Sequence, residues 1–255
     1  MSIMSSFLQK IKDLFASEEK KFTRTILEEL ETTNFINIRK IQSNLSLEKR
    51  YVAISDLLSN RKMTGVFLPE KSHFFSILDE ELSEIRNSLK KQGMVEISLI
   101  KNRWTVTEKT LLPLLNHLEK GIIGDKKYFT ITYLQNAIDS SLANVPEYEI
   151  QKFEKKFGIE VDTLAQIIAN MIENEILKGV LRHNLVFLSS ETFENIVTEF
   201  LEDKLDSEKE LSFDEISSEL EVPSTNIEPF LVSYVNKNPG SLVIYPLEKK
   251  IIFKG

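Results

Sequence analysis

The chain of 255 residues contains no cysteine. That excludes disulfides, thiolate zinc sites, a thiol nucleophile and any thioester carried on the chain itself. It agrees with a reducing, cytoplasmic setting. Histidine is nearly as scarce, with His73, His117 and His183 the whole complement. None is spaced with other ligating or basic side chains in the way a metal ion or a general base requires, so structural or solvent-facing roles are expected. The eight glycines are isolated from one another, so no loop offers the run of backbone amides that cradles a phosphate. No apolar stretch is long enough for a spanning helix or a secretory leader. No catalytic residue, no metal site, no cofactor and no small-molecule substrate are therefore expected.

What is present is an ordinary share of apolar side chains, 42%, enough for a packed core. The net charge is −7 and is unevenly spread. Residues 1–127 carry 21 basic and 17 acidic side chains, a balance of +4, and the remainder carries 11 and 22, a balance of −11. Such asymmetry suggests that the two ends meet different surroundings. The carboxylates lie in runs such as Asp79-Glu80-Glu81 and Glu202-Asp203, the pattern of a solvated helix face.

The strongest signal is repetition, which decides the fold when it is present. One phrase recurs four times: helix, short strand, two helices, hairpin. The third copy is the clearest. An amphipathic stretch covers Ile131–Ala143, a second helix Pro146–Phe157 and a strongly periodic third Val161–Lys178; Gly179 and the apolar ribbon Val180–Leu188 follow. In the first copy Phe22, Ile26, Leu27 and Leu30 mark the first helix, Phe35–Ile38 a strand, and Ile41 and Leu45 a second helix. Ser46 then caps a third helix whose buried face is Tyr51, Val52, Ile54, Leu57 and Leu58; Gly65–Leu68 is a strand that Pro69 ends. The second copy runs its first stripe through Phe75, Leu78, Leu82, Ile85 and Leu89 to Gly93. Met94–Leu99 alternates as a strand, Trp104 sits in the least regular part, and Thr107 opens the last helix. In the fourth, Phe193, Ile196, Val197, Phe200 and Leu201 form the first stripe. Leu211–Phe213 is the strand, and Leu242–Tyr245 pairs with Ile251–Phe253.

That order is the order of a winged helix, a helix-turn-helix backed by a β-hairpin. The expected fold is mainly α with small β-hairpins (α+β), a tandem array of winged-helix domains at 18–73, 74–129, 130–189 and 190–255, preceded by an amphipathic helix within 1–17. Units this small bury little surface alone, so neighbours are expected to pack. The N-terminal stripe Met4, Phe7, Leu8, Ile11, Leu14 and Phe15 admits three uses: packing on the first unit, insertion into a partner's groove, or lying on a membrane with Lys10 and Lys12 at the headgroups.

Helix-turn-helix units often read nucleic acid through the third helix. Here the first copy offers Lys49, Arg50, Arg61 and Lys62, and the second offers Lys109, Lys120, Lys126 and Lys127. The third offers Asp162, Glu173 and Glu175 against Lys178, and the fourth has Glu228 with no basic residue between Ser224 and Val235. The last two would repel phosphate. Nucleic acid is not the expected partner of the whole array; a DNA-binding, transcription-associated role for the first two copies is the alternative.

Several segments resemble the N-terminal winged-helix region of the E3 ligase of the ubiquitin-fold-modifier (ufmylation) pathway. They are Tyr128-Phe129-Thr130, Lys156-Phe157-Gly158, Glu175–Leu181, Val186-Phe187-Leu188, Leu211–Ile216, Gly93–Ser98 and Phe35–Ile41. Together they extend over most of the chain, in a minimal form that lacks the family's long C-terminal region. The resemblance implies a scaffold without a catalytic cysteine. It would recruit a ubiquitin-like-modifier conjugating enzyme and an adaptor protein with a winged-helix domain, with the modifier itself a further candidate partner. It also implies that Phe7, Leu8, Ile11, Leu14 and Phe15 contact the conjugating enzyme. Paired winged helices also occur in ESCRT-II-like membrane-trafficking adaptors, a further alternative, although a membrane is not the expected partner.

Overall fold

A short strand has two faces and cannot leave both in water. In this chain, sheets of three- and four-residue strands are flanked by helices throughout. The computed structural model of the protein describes residues 17–104, 107–205 and 207–254, a mixed α+β fold. The N-terminal stripe, including Phe7, Leu8, Ile11, Leu14 and Phe15, lies outside the described residues. No helix among the described residues is long and apolar enough to cross a membrane. The chain divides into two compact units, Met1–Ile131 and Thr132–Gly255.

The first unit holds α1 (Glu18–Leu30), β1 (Phe35–Asn37), α2 (Leu47–Ser59), β2 (Val66–Leu68) and β3 (His73–Phe75). It continues with α3 (Asp79–Gln92), β4 (Met94–Glu96), α4 (Ile97–Trp104), α5 (Glu108–Leu118), β5 (Gly121–Ile123) and β6 (Lys127–Thr130). The second holds α6 (Ile131–Leu142), β7 (Glu147–Glu149), α7 (Gln151–Phe157), α8 (Val161–Glu173), β8 (Gly179–Leu181) and β9 (Val186–Ser189). After these come α9 (Ser190–Leu205), β10 (Glu210–Ser212), α10 (Phe213–Leu220), α11 (Glu228–Lys237), β11 (Leu242–Tyr245) and β12 (Lys250–Phe253). Four antiparallel sheets result. In each, the last strand lies between the first and the second. Helix starts are set by side-chain caps: Ser17, Ser46, Thr107 and Ser212 each accept an orphan backbone N–H, and Ser212 with Glu215 completes a capping box. Gly93 and Gly158 end α3 and α7 in the left-handed conformation.

Two of these sheets, β1–β3–β2 and β7–β9–β8, also contribute to the core of the copy that follows. In the first unit, Ile36 and Phe74 face the cluster of Phe22, Ile26, Ile54 and Leu57. Their neighbours Val66, Leu68 and Phe75 face the other way and join Ile85, Leu89, Leu111 and Leu115 of the following copy. In the second unit, Val180 and Leu188 join Phe193, Val197 and Leu201, and α9 packs directly on β8 and β9. The period of two in a strand makes this division automatic. A buried aliphatic side chain contributes about 1.5–3 kcal/mol, so these seams carry much of the stability that one small copy lacks.

The middle of the last strand presses an aromatic ring against a glycine. A Cβ on Gly65 would stand 2.9 Å from the Phe74 ring, on Gly121 2.7 Å from the Tyr128 ring, and on Gly179 2.3 Å from the Phe187 ring. The register Ile244↔Ile251 matches Phe67↔Phe74, which places Leu242 where those glycines stand and Ile251 where the rings stand. Volume is exchanged across the strand pair: glycine with an aromatic three times, leucine with isoleucine once.

Several segments differ from the sequence expectation. The first copy has no second helix; residues 38–46 form turns, because Asn37 and Ser43 side chains hold local N–H groups that a helix would use. The strand expected over Met94–Leu99 stops at Glu96 and α4 begins at Ile97, which leaves Leu99 62% exposed. Pro146–Phe157 is β7 followed by α7, not one helix. The helix expected to reach Lys178 ends at Glu173; Glu175 turns left-handed (φ 58°) and Leu177 folds back, its N–H donating to Met171 O. Phe213 opens α10 and does not belong to the strand. Val52 is 58% exposed and Leu78 is also exposed, so neither lies on a buried face.

Replacing Gly179 by Ala puts a methyl 2.4 Å from Leu188 O and against the Phe187 ring. The expected loss is about 1–3 kcal/mol, read from the urea midpoint of the full chain.

Candidate partner-binding surfaces

The basic set Lys49, Arg50, Arg61 and Lys62 surrounds the third helix of the first copy. The structure separates it. Arg50 Nε donates to Leu45 O at 2.9 Å, Nη1 to Ile41 O at 2.9 Å and Ile38 O at 3.2 Å, and Nη2 to Ser43 O at 2.7 Å. Its guanidinium also lies 5.9 Å from the centre of the Phe22 ring. The Nε, Nη1 and Nη2 donors of Arg50 are thus committed to the fold. The reason is the missing second helix. A helix satisfies its own carbonyls, whereas the turn over 38–46 leaves its carbonyls pointing at the body of the copy. The planar, five-donor guanidinium answers four of them. The fourth residue of α8 is the buried Leu164; in α2 the same place holds Arg50. Lys49, Arg61 and Lys62 are exposed. Arg61 sits in the left-handed conformation just after α2 (φ 53°), and Lys62 borders a shallow depression with Leu27, Thr23 and Asp56.

Third helices in the second unit present a different surface. On α8, Asp162, Gln166, Asn170 and Glu173 are exposed; on α11, Glu228, Val232, Asn236 and Lys237 are exposed. Lys237 pairs with Glu194 of α9 at 3.0 Å, and Ser233 Oγ donates to the same carboxylate. These donors hold the Glu194 carboxyl below the usual carboxylate range, the Ser233 hydroxyl first and Lys237 next. The bonds lock the first helix of the fourth copy to its third.

The three histidines divide as follows. His117 and His183 are exposed, and the His183 N–H donates to Glu221 O at 2.7 Å. His73 is half-buried at the start of β3, edge-on to Phe35 at 4.9 Å and near Phe75. Its Nδ1 is buried without a hydrogen-bond partner. Burial and then the charge of Lys71 push its pKa below 6.5, with Glu70 opposing. A cleft opens beside it, bordered by Glu29, Asn37, Lys40, Ile41 and Thr110. Tyr128, fully buried, donates to Asn116 Oδ1 at 2.8 Å and also to Glu119 O. Burial and Glu119 push its hydroxyl well above the ordinary tyrosine range. Among the described residues, no three His, Cys, Asp or Glu side chains are grouped to hold a metal ion.

Within the second unit the hairpin tip of one copy clips the next. Arg182 Nε donates to Leu220 O at 3.0 Å, and its guanidinium pairs with Glu221 at 3.6 Å. Asn184 donates to the Glu221 carboxylate at 3.0 Å. Glu221 is left-handed at the end of α10 (φ 57°), so Arg182 meets the carbonyl end of that helix, where a cation is favoured. The sequence carried no signal for this clip, because its partners lie 38 residues apart.

The large exposed apolar side chains are the remaining candidates for contact. They include Val52 on α2, Leu99 on α4, Ile176 after α8, Val232 on α11, and Tyr245 and Leu247 at the last hairpin. No model of a known protein family and no curated protein matches this chain.

Removing the Arg50 side chain (R50A) leaves up to four carbonyls without their donor, with an expected loss of about 2–4 kcal/mol. R50K restores a charge without the fork and recovers only part of it, in the same denaturation measurement. For His73, the folded chain favours the neutral ring and the unfolded chain binds a proton more readily. Its contribution is complete above about pH 6.5 and is lost as pH falls toward the folded pKa. Urea midpoints should therefore fall between pH 7 and pH 5, and H73F should flatten that part of the dependence.

Proposed function

We propose that this protein is a non-catalytic scaffold of tandem winged-helix modules, of the type that serves as an E3 ligase for a ubiquitin-like modifier. In this reading it gathers a conjugating enzyme and an adaptor protein with a winged-helix domain, and so favours transfer of the modifier to a substrate lysine. Its contribution is position: two bound macromolecules held at high effective concentration and in a productive orientation.

The observation that carries the reading is how the chemically capable groups are used. Arg50, Tyr128, Arg182 and Glu194 are each engaged in holding turns, strands or helices together. What stays outside is a series of helix faces and hairpin tips with single apolar residues among charges. Surfaces of that kind suit macromolecular docking. The helix-strand-hairpin order of the copies, with the last strand central in each sheet, agrees with winged-helix modules. Commitment of Arg50 to the turn over 38–46, together with the acidic outer face of α8, weighs against phosphate binding by these helices.

The conjugating-enzyme contact belongs, by the resemblance, to Phe7, Leu8, Ile11, Leu14 and Phe15. The triple substitution F7A/I11A/F15A should weaken binding of a ubiquitin-like-modifier conjugating enzyme at least about tenfold in calorimetry, the scale expected for loss of apolar anchors, while the thermal melt is retained. Unchanged affinity would remove the role from that segment.

A further inference from the structure

The strand registers give an exact correspondence between three sheets of this chain. Phe75 pairs with both Phe35 and Val66, Leu188 with both Glu147 and Val180, and Ile252 with both Glu210 and Val243. The first two sets lie on the sheet face that the following copy covers. Phe75 and Val66 are buried against Ile85 and Leu89, and Leu188 and Val180 against Phe193 and Val197. Ile252 and Val243 occupy the same positions on the last sheet, yet both are only half-buried, and the adjoining Tyr245 is 39% exposed.

The match extends to the polar positions. Glu210 stands where Glu147 stands, and both are exposed. Tyr245 stands where Leu68 and Arg182 stand; Leu68 is buried in the seam and Arg182 clips α10. Lys250 pairs with Glu210 at 3.6 Å and Glu248 at 2.9 Å along the rim. An apolar centre with a charged rim is the anatomy of a binding patch. Val243 and Ile252 keep the aliphatic character of Val180 and Leu188.

We propose that the outward face of the β10–β12–β11 sheet, centred on Val243, Tyr245 and Ile252, binds an amphipathic helix of a partner protein in the manner in which α9 covers β8 and β9. The helix carries an aliphatic and aromatic stripe at helical spacing, as α9 does with Phe193, Ile196, Val197 and Phe200. A partner's helix fits better than α1 of a second copy. The apolar Phe22 and Ile26 of α1 are buried in its own core, and its outer positions are Lys20, Arg24, Glu28 and Glu29. The proposal is independent of modifier transfer.

The test uses the full chain and a fluorescent peptide with the sequence Ser190–Leu205, held helical by a hydrocarbon staple between the positions of the exposed Asn195 and Glu199. Fluorescence anisotropy should show saturable binding, and methyl resonances of Val243 and Ile252 should shift. V243E/I252E should weaken binding at least about tenfold. Y245E, at an exposed position, should weaken it with the melting temperature unchanged, which separates loss of the site from loss of the fold. L99E, in the other unit, should bind as the native chain does. The proposal is overturned by absence of binding at about millimolar peptide, by equal binding of Y245E and the native chain, or by a native dimer in sedimentation that V243E/I252E abolishes. The last result would assign the face to a second copy.

Discussion

Sharing of a small sheet between its own copy and the next is the constraint on which the rest of this protein depends. Strands of three or four residues cannot hold a sheet by hydrogen bonds alone. Here the alternation of side chains sends Ile36 and Phe74 into one cluster and Val66, Leu68 and Phe75 into the next. In the second unit it sends Val180 and Leu188 to the helix that follows. A repeated protein stabilised this way gains at every seam and gains little from any copy taken alone. The close approach of strands follows from the same demand, and it explains why glycine faces the ring at three of the four sheets.

The first copy shows that one element can be replaced if its hydrogen bonds are replaced too. Where α7 and α10 bury Phe153, Phe157, Ile216 and Leu220, the first copy buries Ile38 and Ile41 from a turn. The carbonyls that a helix would have satisfied go to Arg50. A guanidinium that completes a fold in this way is withdrawn from recognition. That single side chain changes how the whole basic cluster around α2 is read, since Lys49, Arg61 and Lys62 remain as exposed, separately placed charges.

Function in this setting is a matter of what is left outside. Tyr128 and His73 owe their shifted pKa values first to burial, which is the mark of structural placement as much as of chemistry. The outer faces differ between the two units in charge, mixed around α2 and acidic on α8. In the proposed reading, different macromolecules dock on different copies. Geometry, and not reactivity, would be its contribution to any reaction.

Local order along the chain was legible because it rests on short-range rules. The stripes of α1, α6 and α9, the cap Ser46, the helix start at Thr107, the stops at Gly93 and Pro69, and the repeated phrase in the last three copies follow from spacings within about four residues. Tertiary structure decided what those spacings leave open. Six residues of alternation at Met94–Leu99 suit either a strand or the start of a helix, and packing of Ile97 and Ile100 in the core chose the helix. Arg50 in sequence is a basic residue on a helix; only the fold brings four carbonyls around it. Likewise Val243 and Ile252 read as ordinary strand residues, and only their pairing with each other and with Glu210 shows that they share a face of the sheet. Sequence period sets which residues share a face, but which face meets protein and which meets water is fixed by contacts between segments far apart in the chain.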